Sequence, residues 1–244
     1  MTVARVGSRT VQHDTADDDA PQEPRPDVDR SVRTYHPRRG RMTEERKART
    51  AELLPRYGLP AGPVDVAELG HGGPVVLEIG FGLGHATLEM AQADPSTTIL
   101  AVDVHTPGVH RLLVRLDRLA IANVRVHEGD AVELLDERIP ESSLAGIRIF
   151  FPDPWPKARH HKRRLIRPDL VRLMASRLQP GAPLHCATDW VPYADSMVEV
   201  LDAEPLLRNA YPLWAPRLER PLTKFEQQGV EKGHEVRDLV YVRT

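Results

Sequence analysis

Apolar and polar residues alternate in two distinct patterns from residue 75 onward. Apolar residues follow helical spacing most clearly over 107–121. Two segments, near 207–214 and 235–242, are weak candidates for strands. Five short apolar runs predict buried strands at 75–79, 98–104, 123–130, 146–153 and 183–189. This alternation of strands and helices predicts an α/β fold, with a mainly parallel seven-stranded sheet covered by helices on both faces.

The first 74 residues do not follow this alternation. Residues 1–30 lack Leu, Ile, Phe, Trp and Tyr and contain seven acidic residues and three prolines. Such a segment cannot bury enough apolar surface to offset the entropy of ordering, so we predict a disordered tail. Residues 31–74 read as a basic N-terminal extension and linker, with one helix from Thr43 to about Leu54. The main domain is predicted over residues 75–244.

Composition and charge narrow the class of protein. The 244 residues are 28% charged with a net charge of −2, which is ordinary for a globular chain. The single cysteine, Cys186, excludes an intrachain disulfide and a cysteine zinc cluster. No apolar run approaches the roughly 18 residues of a membrane span, and the N-terminus turns acidic where a signal peptide would turn apolar. We therefore expect a cytoplasmic protein with no membrane association and no metal.

Four carboxylates each end a predicted strand: Asp103, Asp130, Asp153 and Asp189. Right-handed crossovers bring the carboxyl ends of parallel strands to one edge of the sheet, where α/β proteins bind ligands. One such aspartate is more simply explained as a helix N-cap. Four of them beside a glycine-rich loop favour a binding site.

The glycine-rich loop EIGFGLG, residues 78–84, lies between a strand and a helix. Its spacing departs from the G-x-G-x-x-G of dinucleotide sites, although an NAD site and a simple tight turn remain alternatives. Asp103, at the end of the next strand, is placed to accept hydrogen bonds from both hydroxyls of a ribose. Glu78 is a charge at the end of an apolar strand and needs a polar partner, such as the ammonium group of a cofactor. These residues indicate an adenosine-type cofactor.

The most specific stretch is FFPDPWPKARHHKRRLI, residues 150–166. Three alternating prolines stiffen the chain around Asp153, and Trp155 is expected to offer a stacking face. A rigid carboxylate and an aromatic face suit a purine. The basic residues that follow suit an RNA phosphate backbone, although a solvated surface loop is the simpler alternative for a charge run.

These motifs resemble those of bacterial tRNA (guanine-N(7)-)-methyltransferases, which are class I S-adenosylmethionine-dependent enzymes. The resemblance covers the chain from about residue 31 to the C-terminus. It rests on the segments VRTYHPRRGRMT, LEIGFGLG, AVDVHTPGV, NVRVHEGDA, IRIFFPDPWPKARHHKRRL, ATDW and TKFEQQG. In this family the acidic position that ends the second strand is often Glu, whereas here it is Asp103.

The resemblance implies a Rossmann-like fold and methyl transfer from S-adenosylmethionine to N7 of a guanine in the variable loop of tRNA. It implies a catalytic role for Asp153, close to the cofactor. The implied cofactor residues are Glu78, Gly80, Gly82, Gly84, Asp103, Asp130 and Asp153. The implied substrate contacts are Lys157, Asp189, Thr223, Lys224, Phe225 and Glu226, and the implied RNA contacts are Arg159, His160, His161, Lys162, Arg163 and Arg164. From the residues alone, TKFEQQG is also compatible with an ordinary turn.

Three other functions remain open at this stage. They are methylation of an exocyclic amine of a nucleic-acid base, hydride transfer with NAD, and RNA binding without catalysis. The sequence leaves open whether the protein is a monomer or a homodimer, and which tRNA species it modifies. It also leaves open whether Asp153 stabilises charge or only positions the base.

Overall fold

A seven-stranded sheet forms the centre of this computed structural model, which describes residues 28–30, 32–35, 40, 42–217, 220–222, 226–227, 233 and 235–244. The strands are β1 (Val75–Ile79), β2 (Thr98–Asp103), β3 (Val124–Glu128), β4 (Gly146–Phe150), β5 (Pro183–Thr188), β6 (Leu207–Asn209) and β7 (Arg237–Arg243). Their order in the sheet is β3-β2-β1-β4-β5-β7-β6. Strands β1 to β5 are parallel, and β7 runs antiparallel to β5 and β6. The predicted α/β fold with a mainly parallel sheet is confirmed.

The helices of the described residues are α1 (Glu44–Tyr57), α2 (Val66–Leu69), α3 (His85–Ala93), α4 (Thr106–Arg118), α5 (Ala131–Glu137), α6 (Pro168–Arg177), α7 (Val191–Asp202) and a 3₁₀ helix (Ala158–Arg163). Helix α2 was not predicted; it is a single turn capped by Asp65, which accepts a hydrogen bond from the Glu68 amide at 2.9 Å. Helix α1 continues past Pro55, where the sequence analysis ended it. A proline in the last turn removes only one helical donor, and burial of Tyr57 favours the extra turn.

Two apolar clusters cover the two faces of the sheet. The period-2 alternation of β2 sends Leu100 and Val102 to the larger cluster, which packs α5, α6 and α7. Ile99 and Ala101 face the smaller cluster, which packs α4 and the apolar side of α1. Helix α1 therefore contributes to the core, although the sequence analysis assigned it to an extension and linker.

Asp29 and Arg30, which lie well before α1 in the chain, also contact the domain. Arg30 forms an ion pair with Glu137 of α5 at 2.5 Å, and the carbonyl of Asp29 accepts a hydrogen bond from Arg167 at 2.8 Å. Both residues belong to the stretch 1–30, which was predicted to be a disordered tail. Residues 1–27 of that predicted tail lie outside the described residues.

The topological switch point of the sheet lies between β1 and β4. Strand β1 pairs with β2 on one side and with β4 on the other, so the chain direction across the sheet reverses at this point. Ligands of open α/β sheets bind at such a switch point, beyond the carboxyl ends of the strands. The loops that follow the parallel strands therefore form the candidate site.

Candidate active site

The glycine loop after β1 leaves open space beside its backbone. Gly80 and Gly82 have φ values of 81° and 59°, in the left-handed region that disfavours residues with a Cβ. A Cβ added at either position would meet no other atom within 4 Å. The loop is therefore both shaped by glycine and open on the side where a ligand would approach. Gly84 is the N-cap of α3, and a Cβ there would meet the side chain of Leu112 of α4 at 2.8 Å.

Asp103 connects this loop to the end of β2. Its Oδ2 accepts a hydrogen bond from the Gly82 amide at 2.7 Å, and its Oδ1 accepts one from the His105 amide at 2.9 Å. Burial raises the pKa of Asp103, and the two amide donors limit that rise. The carboxylate is thus held in one orientation beside the glycine loop, where the sequence analysis expected a ribose ligand.

Glu78 is a buried carboxylate with an unsatisfied oxygen. The residue is 4% exposed, and its Oε2 has no hydrogen-bond partner among the described residues. Arg148 lies opposite Glu78 on the neighbouring strand β4, but its guanidinium donates a hydrogen bond to Sδ of Met90 at 3.2 Å and not to Glu78. Burial raises the pKa of Glu78 to about 7, against the opposing effects of the Thr87 hydroxyl and the Arg148 charge. A buried acceptor of this kind needs a donor, and a cationic ligand group would supply one.

Two further predicted residues lie at the same edge of the sheet. Asp130 caps α5, because its Oδ1 accepts a hydrogen bond from the Val132 amide at 2.8 Å. Asp130 is therefore a helix N-cap. It also lies at the edge of the sheet where the cofactor was expected to bind. Asp189 is half-buried and directly follows β5.

The loop that carries Asp153 has a strained backbone on both sides of the carboxylate. Phe151 and Trp155 have φ values of 54° and 45°, which are rare for bulky residues. Asp153 itself is half-buried between Pro152 and Pro154. Such conformations persist only when the surroundings enforce them, and they concentrate at functional sites.

Trp155 does not offer the stacking face that the sequence analysis expected. It is 4% exposed, and its Nε1 donates to the carbonyl of Thr34 at 3.4 Å. The Arg163 guanidinium lies 5.0 Å from the ring centroid, and the His160 ring meets it edge-on at 5.9 Å. The expectation was wrong because the N-terminal segment and the basic helix cover the indole.

The basic residues of the 3₁₀ helix and of its two flanking positions, Lys157 and Arg164, differ in how far they are exposed. The exposed residues are Lys157, Arg159, His161 and Lys162, and His160 and Arg163 are half-buried. Arg164 is only 5% exposed; its Nε donates to the Pro154 carbonyl at 3.1 Å and its guanidinium lies 4.7 Å from the Tyr193 ring centroid. A side chain buried to this extent does not suit the RNA contact that was predicted for Arg164. Arg164 instead fixes the loop that carries Asp153.

Glu226 also lies in surroundings that differ from its predicted role. Its carboxylate is almost fully buried and pairs with Arg220 at 2.5 Å and with Arg217 at 3.0 Å. Burial would raise the pKa of Glu226, but the two arginines outweigh that effect and lower it. The other predicted contacts of this segment, Thr223, Lys224 and Phe225, lie outside the described residues.

Arg220, which pairs with Glu226, also pairs with Asp238, and Asp238 in turn lies 2.7 Å from His185. None of Arg220, Asp238 and His185 was predicted as a site residue. Asp238 is the sequence feature that could have revealed this buried group, because a charged residue within the predicted apolar strand over 235–242 requires a buried partner. Nothing in the sequence indicated that the partner would be Arg220.

The sheet order, the open glycine loop and the acid at the end of β2 define a class I methyltransferase, a class that uses S-adenosylmethionine. The sequence matches the family described as "Putative methyltransferase" over residues 72–239. A tRNA (guanine-N(7)-)-methyltransferase of Streptomyces coelicolor is 53% identical, covering 88% of this chain and 82% of the relative. One from Nitrosospira multiformis is 47% identical, covering 87% and 94%. The chain therefore belongs to the tRNA (guanine-N(7)-)-methyltransferase family.

Solved structures agree with the fold. The 16S rRNA methyltransferase KamB superposes with a TM-score of 0.56 at 18% identity, covering 77% of this chain and 98% of that one. The aminoglycoside resistance methyltransferase NpmB1 gives a TM-score of 0.51 at 14% identity, covering 75% and 95%. At these identities the likeness concerns the fold alone. In the described part of the chain, no helix combines the length and apolarity of a membrane span, and no group of His, Cys, Asp or Glu side chains is arranged to hold a metal.

Proposed function

We propose that this protein transfers the methyl group of S-adenosylmethionine to N7 of a guanine in the variable loop of tRNA. The observation that carries the proposal is the position of Asp153. It lies in a strained loop at the carboxyl end of β4, beside the switch point, and the exposed basic helix follows it directly. The names of the relatives, tRNA (guanine-N(7)-)-methyltransferase, support the same reaction.

The residues on the cofactor side fit S-adenosylmethionine. Glu78 offers a buried oxygen, Oε2, to which none of the described residues donates a hydrogen bond, and this suits the ammonium group of the methionine portion. The open side of Gly80 and Gly82 allows close approach of a ligand, and Asp103 is oriented to bind ribose hydroxyls. Asp130 completes the proposed set at the end of β3. When bound, the cofactor supplies an electrophilic methyl group.

The chemistry of the acceptor, guanine N7, determines which catalytic tasks are left to the protein. Guanine N7 is a hydrogen-bond acceptor with a free lone pair, so no base has to remove a proton before attack. Alignment of donor and acceptor at about 3–3.5 Å therefore contributes much of the acceleration. The guanine becomes cationic as the bond forms, and a fixed carboxylate at Asp153 would favour that charge. Asp153 would also accept hydrogen bonds from the base and so position it.

The exposed cations beside Asp153 are proposed to hold the RNA backbone. Lys157, Arg159 and Lys162 are all exposed along one short stretch, and His161 lies among them. Arg46 of α1 is exposed as well, whereas the exposed Lys47 pairs with Glu44 at 2.7 Å. Phosphate contacts of this kind fix the position of a nucleic acid without reading its bases. Asp189, directly after β5, remains a proposed substrate contact. We infer a cytoplasmic location for an enzyme that acts on tRNA.

The decisive experiment is nucleoside analysis of bulk tRNA after incubation with the protein and labelled cofactor. The proposal requires the label in 7-methylguanosine. Label in a nucleoside methylated on an exocyclic amine would instead support the alternative methyltransferase. Cofactor binding without any labelled nucleoside would reject tRNA as the acceptor, and failure to bind the cofactor would favour a non-catalytic RNA-binding protein.

A further inference from the structure

A buried group of charged side chains joins three separate segments next to the Asp153 loop. Arg220 binds Asp238 of β7 through two hydrogen bonds, from Nε to Oδ1 at 2.8 Å and from Nη2 to Oδ2 at 3.0 Å. On its other side, Nη1 donates to Oε2 of Glu226 at 2.5 Å and Nη2 donates to Oε1 at 3.2 Å. All three side chains are at most 3% exposed. Arg220, which is 6 residues from Glu226 and 18 from Asp238 in the chain, therefore bridges the two carboxylates.

The same arginine packs against the residues that lead into the Asp153 loop. Its Cζ lies 5.4 Å from the ring centroid of Phe150 and 5.6 Å from that of Phe151. The His185 ring meets Phe150 edge-on at 5.0 Å, and His185 Nε2 lies 2.7 Å from Oδ1 of Asp238. The end of β4 is thus enclosed by this buried group.

The conformation of Phe151 needs such an enclosure. Its φ of 54° is costly for an aromatic residue and persists only where the surroundings fix it. The Phe151 amide donates to the Ala187 carbonyl at 2.8 Å, which fixes one side of the residue. The Arg220 guanidinium packs against the ring of the same residue, 5.6 Å from its centroid. Asp153 follows two residues later, so an error in this backbone would displace the carboxylate.

The bonding pattern also requires arginine itself. The planar guanidinium presents donors in a rigid fork that can bind two carboxylates at once, whereas lysine presents a single compact charge. A buried ion pair stabilises little relative to apolar residues, but the loss of one partner leaves an uncompensated buried charge. The arrangement therefore favours one geometry of the segments that it joins.

We propose that Arg220 is a positioning residue, which holds the loop of Asp153 and the chain at Glu226 in a fixed relation on the acceptor side of the site. It acts through Phe151 and Glu226 and not on the reacting atoms. The inference rests on the proposed methyl transfer to tRNA, and it replaces the expected contact of Glu226 with the guanine by a structural pairing.

The test compares Arg220→Lys and Arg220→Met with Arg177→Lys and Arg177→Met. Arg177 is a matched control, because its side chain is also 3% exposed and donates to a buried carbonyl, that of Leu135, at 2.8 Å. It lies at the end of α6, where its carbonyl accepts from the Ser143 amide just before β4, away from the strand ends that carry the site. Each variant is measured for thermal stability, cofactor affinity, tRNA affinity and single-turnover methyl transfer at saturating substrates.

Both Arg220 variants are expected to lower the single-turnover rate by about tenfold or more, with cofactor affinity within about twofold of wild type. The Arg177 variants are expected to lose stability while the folded protein keeps its rate. An Arg220→Lys protein with a normal rate would overturn the inference, as would an equal loss of rate in Arg177→Lys. Wild-type protein that forms no 7-methylguanosine would overturn the proposed function and this inference together, whereas active wild type with active Arg220 variants would overturn only the inference.

Discussion

The Gly82 amide donates a hydrogen bond of 2.7 Å to Oδ2 of Asp103. Together with the hydrogen bond from the Gly80 amide to the Val102 carbonyl at 2.8 Å, this bond connects the glycine loop after β1 to the end of β2, so the two proposed cofactor elements are fixed relative to each other. The second oxygen of Asp103 is oriented by the His105 amide. The cofactor side of the site is therefore organised by backbone donors around one carboxylate.

Replacement of Asp103 by alanine should mainly weaken cofactor binding. The change removes both the proposed ribose ligand and the anchor of the glycine loop, so we expect the dissociation constant to rise about tenfold or more. The rate at saturating cofactor should fall much less. Calorimetric titration with S-adenosylmethionine measures the first quantity, and single-turnover kinetics measure the second.

Replacement of Asp153 by asparagine should have the opposite profile. The loop geometry is retained but the negative charge is lost, so the single-turnover rate should fall by about 10²-fold while cofactor affinity changes by less than about twofold. The Asp103 and Asp153 variants serve as controls for each other. If both variants lost affinity and rate to the same extent, the separate roles would be rejected.

The stability of the cofactor-free protein should depend on pH because of Glu78. Burial raises the pKa of Glu78 from 4.5 to about 7, so between these values the folded state binds more protons than the unfolded state. Stability should therefore fall as pH rises through this window. Glu78→Gln stays neutral, and at pH 8 it should be more stable than wild type by up to about 3 kcal/mol.

The same variant should bind the cofactor poorly, because a neutral amide cannot pair with an ammonium group. In the wild type, binding requires ionised Glu78, so affinity should be about tenfold weaker at pH 6 than at pH 8. Glu89 of α3 is exposed, and Glu89→Gln is the matched control. Denaturant unfolding and cofactor titration across this pH range test both effects. Equal pH dependence in Glu78→Gln and wild type would contradict the assignment.

The exposed cations of the 3₁₀ helix should determine how RNA binding depends on salt. Each phosphate contact contributes about 0.7–0.9 log units of affinity per log unit of salt. Arg159→Ala with Lys162→Ala should weaken tRNA binding and reduce the slope by up to roughly two such contacts. A matched pair, Arg115→Ala with Arg118→Ala, removes two charges from the last turn of α4 and should leave the slope unchanged. Identical slopes in the two double variants would mean that the basic helix is an ordinary solvated surface that makes no phosphate contacts.

Periodicity was sufficient to predict the sheet and the edge that carries the site. Buried strands in a parallel sheet are almost wholly apolar, so the aspartates at their ends were conspicuous in the sequence. Asp103 and Asp153 lie at that edge, as the strand assignment required. Helix α2 was missed because a single turn has no detectable period.

The buried polar contacts could not be predicted in the same way. Arg164 lies in a run of basic residues, and nothing in the sequence distinguishes its burial from the exposure of Lys162. Trp155 is covered by a segment more than 100 residues away in the chain, through its bond to Thr34. The pairing of Arg220 with Asp238 depends on how the last strand docks, which is a property of the tertiary fold.

The most direct test of the proposed reaction uses two tRNA substrates that differ at one atom. One carries guanosine at the variable-loop position, and the other carries 7-deazaguanosine, in which carbon replaces N7. The account predicts one methyl group transferred per molecule to the first tRNA and none to the second, with similar binding of both. Equal methylation of the two substrates would contradict attack by N7.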